Sequence, residues 1–181
     1  MRWEALFDDL EARLVAHEAR ELESLVAEQV RAEQARVELS RRLLAHAGHR
    51  LTLWLATGEV EGVVVDVAPS WLMLHDGPTQ VLVPYAAISA VQGLGREVAV
   101  EPGVVLRALS LGHALRALAR DRAGVAVHLP GRIAHGTIDR VGADHFDLAL
   151  HEPGQWRRRE SVRGVATVAF GAVEFLRSVT R

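Results

Sequence analysis

The fold is decided by residues 51–67, which read LTLWLATGEVEGVVVDV. Leucines alternate with other residues over 51–55, a Thr-Gly pair stands at 57–58, and a β-branched run follows over 60–67. An apolar period of two is typical of strands that pack one face against a core, and Thr-Gly between two such runs is a turn signal. The stretch therefore predicts two neighbouring strands joined by a tight turn.

Strand signals continue beyond this hairpin. Pro-Ser at 69–70 and Asp-Gly-Pro at 76–78 mark two further turns. Apolar residues alternate or cluster again at 72–74, 81–83 and 88–91. Five short strands in so little sequence predict a small closed or half-closed barrel, because an open sheet of this size would expose its edges. We assign residues 49–106 to a first barrel and its connector.

The strand pattern returns near the end of the chain as an internal repeat. The residues Gly62, Val67, Trp71, Leu72 and Leu74 match Gly136, Val141, His145, Phe146 and Leu148 at a constant offset of 74. Self-similarity at a fixed period is the signature of a repeated structural unit. Residues 107–181 are therefore predicted to form a short helix over 111–122 and then a second barrel.

Residues 1–48 are predicted to form a long N-terminal helix, because no Gly or Pro occurs over 2–47. At 1.5 Å per residue such a helix would reach about 70 Å. Part of it should then contact another helix or another subunit, as in a coiled coil. A slip in the apolar spacing leaves a helical hairpin or a kinked helix open. The predicted interface consists of Trp3, Phe7, Leu10 and Leu14, and packing of these residues on the chain's own barrel is the alternative.

Two motifs resemble the Sm and Sm-like (LSM) family. Residues 51–58, with Gly62 in the next strand and Leu72–Leu74 after a turn, resemble its first motif. Residues 84–91, which read PYAAISAV, resemble its second motif, particularly in the bacterial RNA-chaperone (Hfq-type) branch. The resemblance implies a helix on a five-stranded bent sheet, ring assembly and RNA binding. The expected fold class is thus α+β, a long N-terminal helix followed by two small Sm-like or SH3-like five-stranded β-barrels joined by a short helix.

The sequence departs from the family at its RNA-binding positions. The family places an Asp and an Asn around the turn before the third strand, where this chain reads Ala-Pro-Ser-Trp at 68–71. The chaperone branch places Tyr-Lys-His where this chain reads Pro-Tyr-Ala at 84–86. The family's RNA pocket is therefore not expected, since a fold alone does not fix function. Ring assembly is open too, because two fused barrels that pair with each other would use up strand edges.

Charge is unevenly distributed along the chain, whose formal net charge is −2. Residues 1–48 carry −3, residues 49–106 carry −4 and residues 107–181 carry +5. Only the last segment attracts a polyanion. All 21 basic residues are Arg, for which the codon bias of a GC-rich genome is a sufficient explanation.

The densest basic cluster comprises Trp156, Arg157, Arg158, Arg159 and Arg163. It lies in the loop where the second repeat is longer than the first. A Trp flanked by guanidinium groups can stack on a base while the Arg side chains hold phosphates. These residues are the candidate site for RNA or DNA. The alternative is a solvated hairpin tip with Trp156 folded back onto the barrel.

No catalytic residue, metal site or cofactor is expected. The chain has no Cys and no Lys, which excludes disulfides, thiolate metal sites, Schiff bases and a P-loop. Its nine histidines invite a metal hypothesis. Neither His46 with His49 nor the cluster at 144–151 supplies an evident set of three or four ligands. Paired carboxylates and a nucleophile beside a base are not evident either, so an enzyme is not expected.

The sequence supports two functional hypotheses. The first is a non-enzymatic, cytoplasmic regulatory protein whose basic second barrel binds RNA or DNA. The second is a protein-interaction scaffold that oligomerises or docks through its N-terminal helix and binds no nucleic acid. No apolar run approaches the roughly 20 residues that span a bilayer, so no membrane partner is expected. A homo-oligomer is expected under either hypothesis.

Overall fold

Residues 17, 21–99, 109–153 and 161–179 are described in a computed structural model of the protein. The chain divides into two units, residues 1–38 and residues 39–181. All of the described strands belong to the second unit.

The first unit contains helix α1, whose described part covers residues 21–34. Beyond it, the N–H groups of Arg36 and Val37 donate to the carbonyls three residues earlier, at 3.1 and 3.2 Å, which is the tightening typical of a helix end. A separate helix, α2, covers Leu39–Ala45. The prediction of one long N-terminal helix is therefore wrong, because the chain leaves the helical path at 35–38 although no Gly or Pro marks the break. A coiled coil is not supported.

Helix α2 is held in place by an apolar side chain in the core and by two arginines that contact the segment after β5. Leu43 is fully buried in the core beneath the helix. Arg42 donates to the carbonyl of Gly95 at 2.5 Å, and Arg41 donates to that of Ala99 at 3.0 Å. These long-range contacts determine where α2 lies, and helical composition alone does not specify them.

The described residues of the second unit form ten antiparallel strands and one further helix. The strands are β1 (Arg50–Leu55), β2 (Gly58–Val67), β3 (Trp71–Asp76), β4 (Thr79–Pro84), β5 (Ala90–Gln92), β6 (Gly124–Leu129), β7 (Arg132–Val141), β8 (His145–Leu150), β9 (Gly164–Ala169) and β10 (Phe175–Ser178). Helix α3 covers Leu111–Arg120, where a short helix was predicted. Single 3-10 turns at Tyr85–Ala87 and Phe170–Ala172 follow β4 and β9.

The strands form one open sheet in the order β5-β1-β2-β3-β4-β10-β6-β7-β8-β9. The junction is the pairing of β4 with β10, in which Leu82 faces Leu176 and Val81 faces Arg177. The prediction of two closed five-stranded barrels, arranged as a tandem repeat of Sm-like units, is therefore wrong. The edges of β4 and β10 hydrogen-bond to each other, so each satisfies backbone groups that would otherwise remain free.

Two hydrophobic cores lie on opposite faces of this sheet. Val81, Val83 and Phe175 belong to the core that Leu43 enters, whereas Leu82 and Leu176 belong to the other. Adjacent residues of a strand point to opposite faces, so β4 and β10 are buried on both sides. Burying a side chain of this size contributes about 1.5–3 kcal/mol, which makes the junction a strongly stabilised part of the fold.

Helix α3 and Trp71 together close the core that contains Leu82 and Leu176. Leu111 and Leu115 are buried on the inner face of the helix. Trp71, from β3, packs in the same core, and its indole N–H donates to the Leu109 carbonyl at 3.1 Å. A side chain of the first five strands thus completes the core of the last five, which two independent barrels would not allow.

Glycines in the two longest strands permit close backbone contacts. A Cβ atom at Gly62 would lie 2.8 Å from the His75 carbonyl oxygen, and one at Gly136 would overlap the Ala149 carbonyl. A few residues later both strands contain a register shift, between Val64 and Asp66 in β2 and between Ile138 and Arg140 in β7. Glycine followed by a bulge lets each strand curve around its core.

Candidate functional site

The predicted nucleic-acid residues occur in the connection between β8 and β9. Trp156, Arg157, Arg158 and Arg159 lie outside the described residues, whereas Arg163 lies within them. The N–H of Arg163 donates to the Leu150 carbonyl at 2.9 Å, and its guanidinium contacts the Glu152 carboxylate at 2.5 Å. These contacts close the base of the connection, and the Arg163 side chain is 71% exposed there.

The basic charge of the last segment is concentrated in this connection and near the chain end. The described residues from 109 to 179 contain 7 Arg and 6 acidic residues, so they carry +1. The full segment 107–181 carries +5. The other +4 comes from Arg107, Arg157–Arg159 and Arg181 less Glu160. The described residues of this segment are therefore nearly neutral, and the three consecutive arginines are the densest part of the excess.

A groove of about 640 Å³ opens between the β1–β2 and β6–β7 hairpins. It is lined by Thr57, Gly58, Glu59, Val60, His128, Leu129, Gly131, Arg132, Ile133 and Phe175. We call it the hairpin groove. Its volume falls in the range of small-molecule sites, and its lining is largely apolar, with one acidic and one basic side chain.

Glu174 is a buried carboxylate beside the hairpin groove. One of its oxygens, Oε2, accepts hydrogen bonds from the backbone N–H of Thr57, at 3.2 Å, and from the Thr57 hydroxyl. The other oxygen, Oε1, is buried and has no hydrogen-bond partner among the described residues. A buried charge destabilises a fold unless it is paired. Glu174 therefore ties the β1–β2 turn to β10 at a cost in desolvation.

His128 stacks on Phe175 at the groove wall, with ring centroids 3.8 Å apart and planes inclined by 18°. Burial lowers the pKa of His128, and the nearby positive charges of Arg177 and, when protonated, His135 lower it further. The negative charge of Glu174 opposes these effects. The imidazole is therefore neutral near pH 7 and acts as part of an apolar stack.

Sequence reasoning missed both Glu174 and the hairpin groove. Thr57 and Glu174 are 117 residues apart, and only the β4–β10 junction brings them together. The one signal in the sequence is an acidic residue inside the apolar stretch Val173–Leu176. Such a residue at the start of a buried strand requires a local partner.

Three of the histidines considered as metal ligands, His46, His145 and His151, form hydrogen bonds with protein groups. The Nδ1–H of His46 donates to the Arg42 carbonyl at 2.7 Å, and Nε2 accepts from the Gly95 N–H at 2.9 Å. His145 contacts the adjacent Asp144 at 2.8 Å, and His151 contacts the Thr137 hydroxyl at 2.8 Å. Within the described parts of the chain, no three His, Asp or Glu side chains are placed to hold a metal ion.

The predicted interface residues Trp3, Phe7, Leu10 and Leu14 also lie outside the described residues. Further along the first unit, helix α1 exposes a row of apolar side chains. They are Leu22, Leu25, Val26 and Val30, which are 64, 64, 56 and 45% exposed. Their spacing of three or four residues places them on one face of the helix.

No known protein family matches the chain, and no curated protein is significantly similar to it. Among the described helices, none has both the length and the apolarity required to cross a membrane.

The lowered pKa of His128 predicts a loss of stability in weak acid. Above the ordinary histidine pKa of about 6.5, folded and unfolded chains are both neutral at this residue. As the pH falls below that value, the unfolded chain takes up a proton that the folded chain resists, and the free energy of unfolding decreases. Urea denaturation from pH 7.5 to pH 5 should show a shallower decrease for His128→Gln than for the wild type. The exposed His113→Gln variant is the control, and equal slopes for His128→Gln and the wild type would contradict the assignment.

Proposed function

We propose that the protein is a non-enzymatic cytoplasmic regulatory protein that binds RNA or DNA through the β8–β9 connection. The binding residues are Trp156, Arg157, Arg158, Arg159 and Arg163. The observation that carries the proposal is the concentration of positive charge: three consecutive arginines follow a Trp in one connection, while the described residues of the same segment are nearly neutral.

The residue types in the connection suit an unpaired strand. Guanidinium groups form bidentate hydrogen bonds with phosphate oxygens, and an indole ring stacks on a base that is not already stacked in a duplex. Single-stranded RNA or DNA is therefore the favoured ligand. The chain lacks the acidic and amide residues that the Sm-like resemblance would require, so the contacts proposed are to the backbone and to base faces, without strong sequence preference.

Arg163 is the one proposed binding residue that lies within the described residues, and its contacts support the proposal. Its ion pair with Glu152 is solvent-exposed on both partners, at 71 and 47%. Exposed pairs of this kind contribute little to stability. A phosphate that replaces Glu152 would therefore gain a guanidinium contact at small cost to the fold.

Fluorescence anisotropy with a labelled single-stranded oligonucleotide tests this proposal. Replacing Arg157, Arg158 and Arg159 by Ala should abolish binding at moderate salt. At low salt, where residual binding is measurable, the slope of log K against log salt should become shallower by about two, since each phosphate contact on a single strand contributes roughly 0.7. The control replaces three exposed arginines elsewhere, Arg116, Arg120 and Arg140, by Ala and removes the same charge. Equal losses in the two triple variants, or none in the first, would contradict the proposal.

A second candidate function is a scaffold that self-associates through helix α1. The four exposed apolar side chains of α1 favour it. Antiparallel pairing with a second copy, centred on Val26, would place Val30 opposite the partner's Leu22 and Arg31 opposite the partner's Glu21. The partner helix is thus complementary in both apolar contact and charge.

Light scattering on the full chain tests self-association through α1. If α1 is the interface, changing Leu22 and Val26 to Asp should lower the mass toward the 19.8 kDa of one chain, because two charges would enter the apolar row. The Glu28→Gln change on the same helix should leave the mass unaltered. A mass that is the same in the wild type and the double variant excludes α1 as the interface.

A further inference from the structure

Strand β9 forms one end of the sheet and pairs only with β8 among the described residues. Its sequence is GVATVA, with no charged residue and no proline. Natural sheets protect an exposed edge with charges, prolines, bulges or short strands. At the opposite end, β5 is only three residues long, whereas β9 has six and none of the other protections.

The pairing with β8 determines which backbone groups of β9 are free. The N–H of Phe170 donates to the Asp144 carbonyl at 2.7 Å, one position beyond the register pair His145–Ala169. Hydrogen-bonded and non-hydrogen-bonded pairs alternate in an antiparallel ladder. The N–H and C=O groups of residues 164, 166 and 168 therefore point toward β8, and those of residues 165, 167 and 169 point outward.

The side chains of β9 also leave this edge accessible. Val165 is 60% exposed, and Thr167 is exposed on the same face of the sheet. On the other face, the middle residue of the strand is Ala166, so no large side chain obstructs an approaching strand. An exposed β-branched residue beside free backbone groups is a surface suited to strand pairing.

We infer that β9 pairs in antiparallel fashion with β9 of a second copy of this chain across a two-fold axis. In the register centred on Ala166, Val165 and the partner's Thr167 exchange N–H and C=O hydrogen bonds. Ala166 then lies on the axis opposite the partner's Ala166. Val165 packs beside the partner's Thr167 on one face, which removes its exposed surface from water.

A second copy is the occupant because the edge is complementary to itself. In this register the outward groups of Val165 and Thr167 supply the donors and acceptors on both sides, as a two-fold contact requires. No like charges meet, since the strand carries none. The small residues at the axis allow the two backbones to reach normal strand separation.

A cysteine scan tests the register directly, because the chain contains no native Cys. In Ala166→Cys the two Cα atoms would be about 4.5 Å apart, within the range of a disulfide. In Val165→Cys they would be offset by two residues, at about 8 Å, beyond that range. Under mild oxidation, Ala166→Cys should form a covalent dimer at least tenfold faster than Val165→Cys. Equal rates, or a faster reaction of Val165→Cys, would overturn the proposed pairing.

Light scattering on the full chain supplies an independent test. The wild type should have twice the 19.8 kDa mass of one chain, and Val165→Lys should reduce it to that of a monomer by placing charge on the edge. The control is Val65→Lys, at a residue 47% exposed on the inner strand β2. A monomeric wild type, a larger assembly, or a dimer dissociated by the α1 double variant but not by Val165→Lys would each overturn the inference. None of these measurements involves nucleic acid, so they are independent of the proposed binding function.

Discussion

Strand β10 pairs with β4 along one edge and with β6 along the other. The sheet continues from the first five strands to the last five through this pairing, which leaves one open sheet. Because β4 and β10 alternate side chains between the two cores, neither core is complete without the junction. Phe175 of β10 packs in the core formed mainly by the first five strands, and Trp71 of β3 packs in the core formed mainly by the last five.

The same junction creates features that neither set of strands has alone. It brings the Thr57 turn to the buried carboxylate of Glu174 and forms the hairpin groove beside them. It also determines which edges stay free. With β4 and β10 joined, the unpaired edges among the described strands are the short β5 and the uncharged β9. The β8–β9 connection, with its consecutive arginines, leads directly into that free edge.

The individual strands were predictable from the sequence, but their assembly was not. Alternating leucines at 51–55 and the turn at 57–58 correspond to β1, the turn and β2, and the short helix after residue 110 is α3. A period of two describes a strand equally well in a closed barrel and in an open sheet. The pairing of Leu82 with Leu176 joins residues 94 positions apart, and periodicity contains no information at that distance. The break at 35–38 was also missed, because no Gly or Pro marks it. Glu174 was missed because its hydrogen-bond partner, Thr57, lies 117 residues away in the sequence.

The proposed nucleic-acid function depends on local charge, whereas the fold depends on the β4–β10 pairing, and the pairing can be observed directly. Val179 donates to the Gly124 carbonyl at 3.1 Å, so Arg177 directs its backbone groups toward β6 and forms a non-hydrogen-bonded pair with Val81 on β4. NMR should therefore show an NOE between the α-protons of Val81 and Arg177 and another between the amide protons of Leu82 and Leu176. If NOEs between β3 and β4 are present in the same spectrum while both of these are absent, the two sets of strands are separate and the open sheet is wrong.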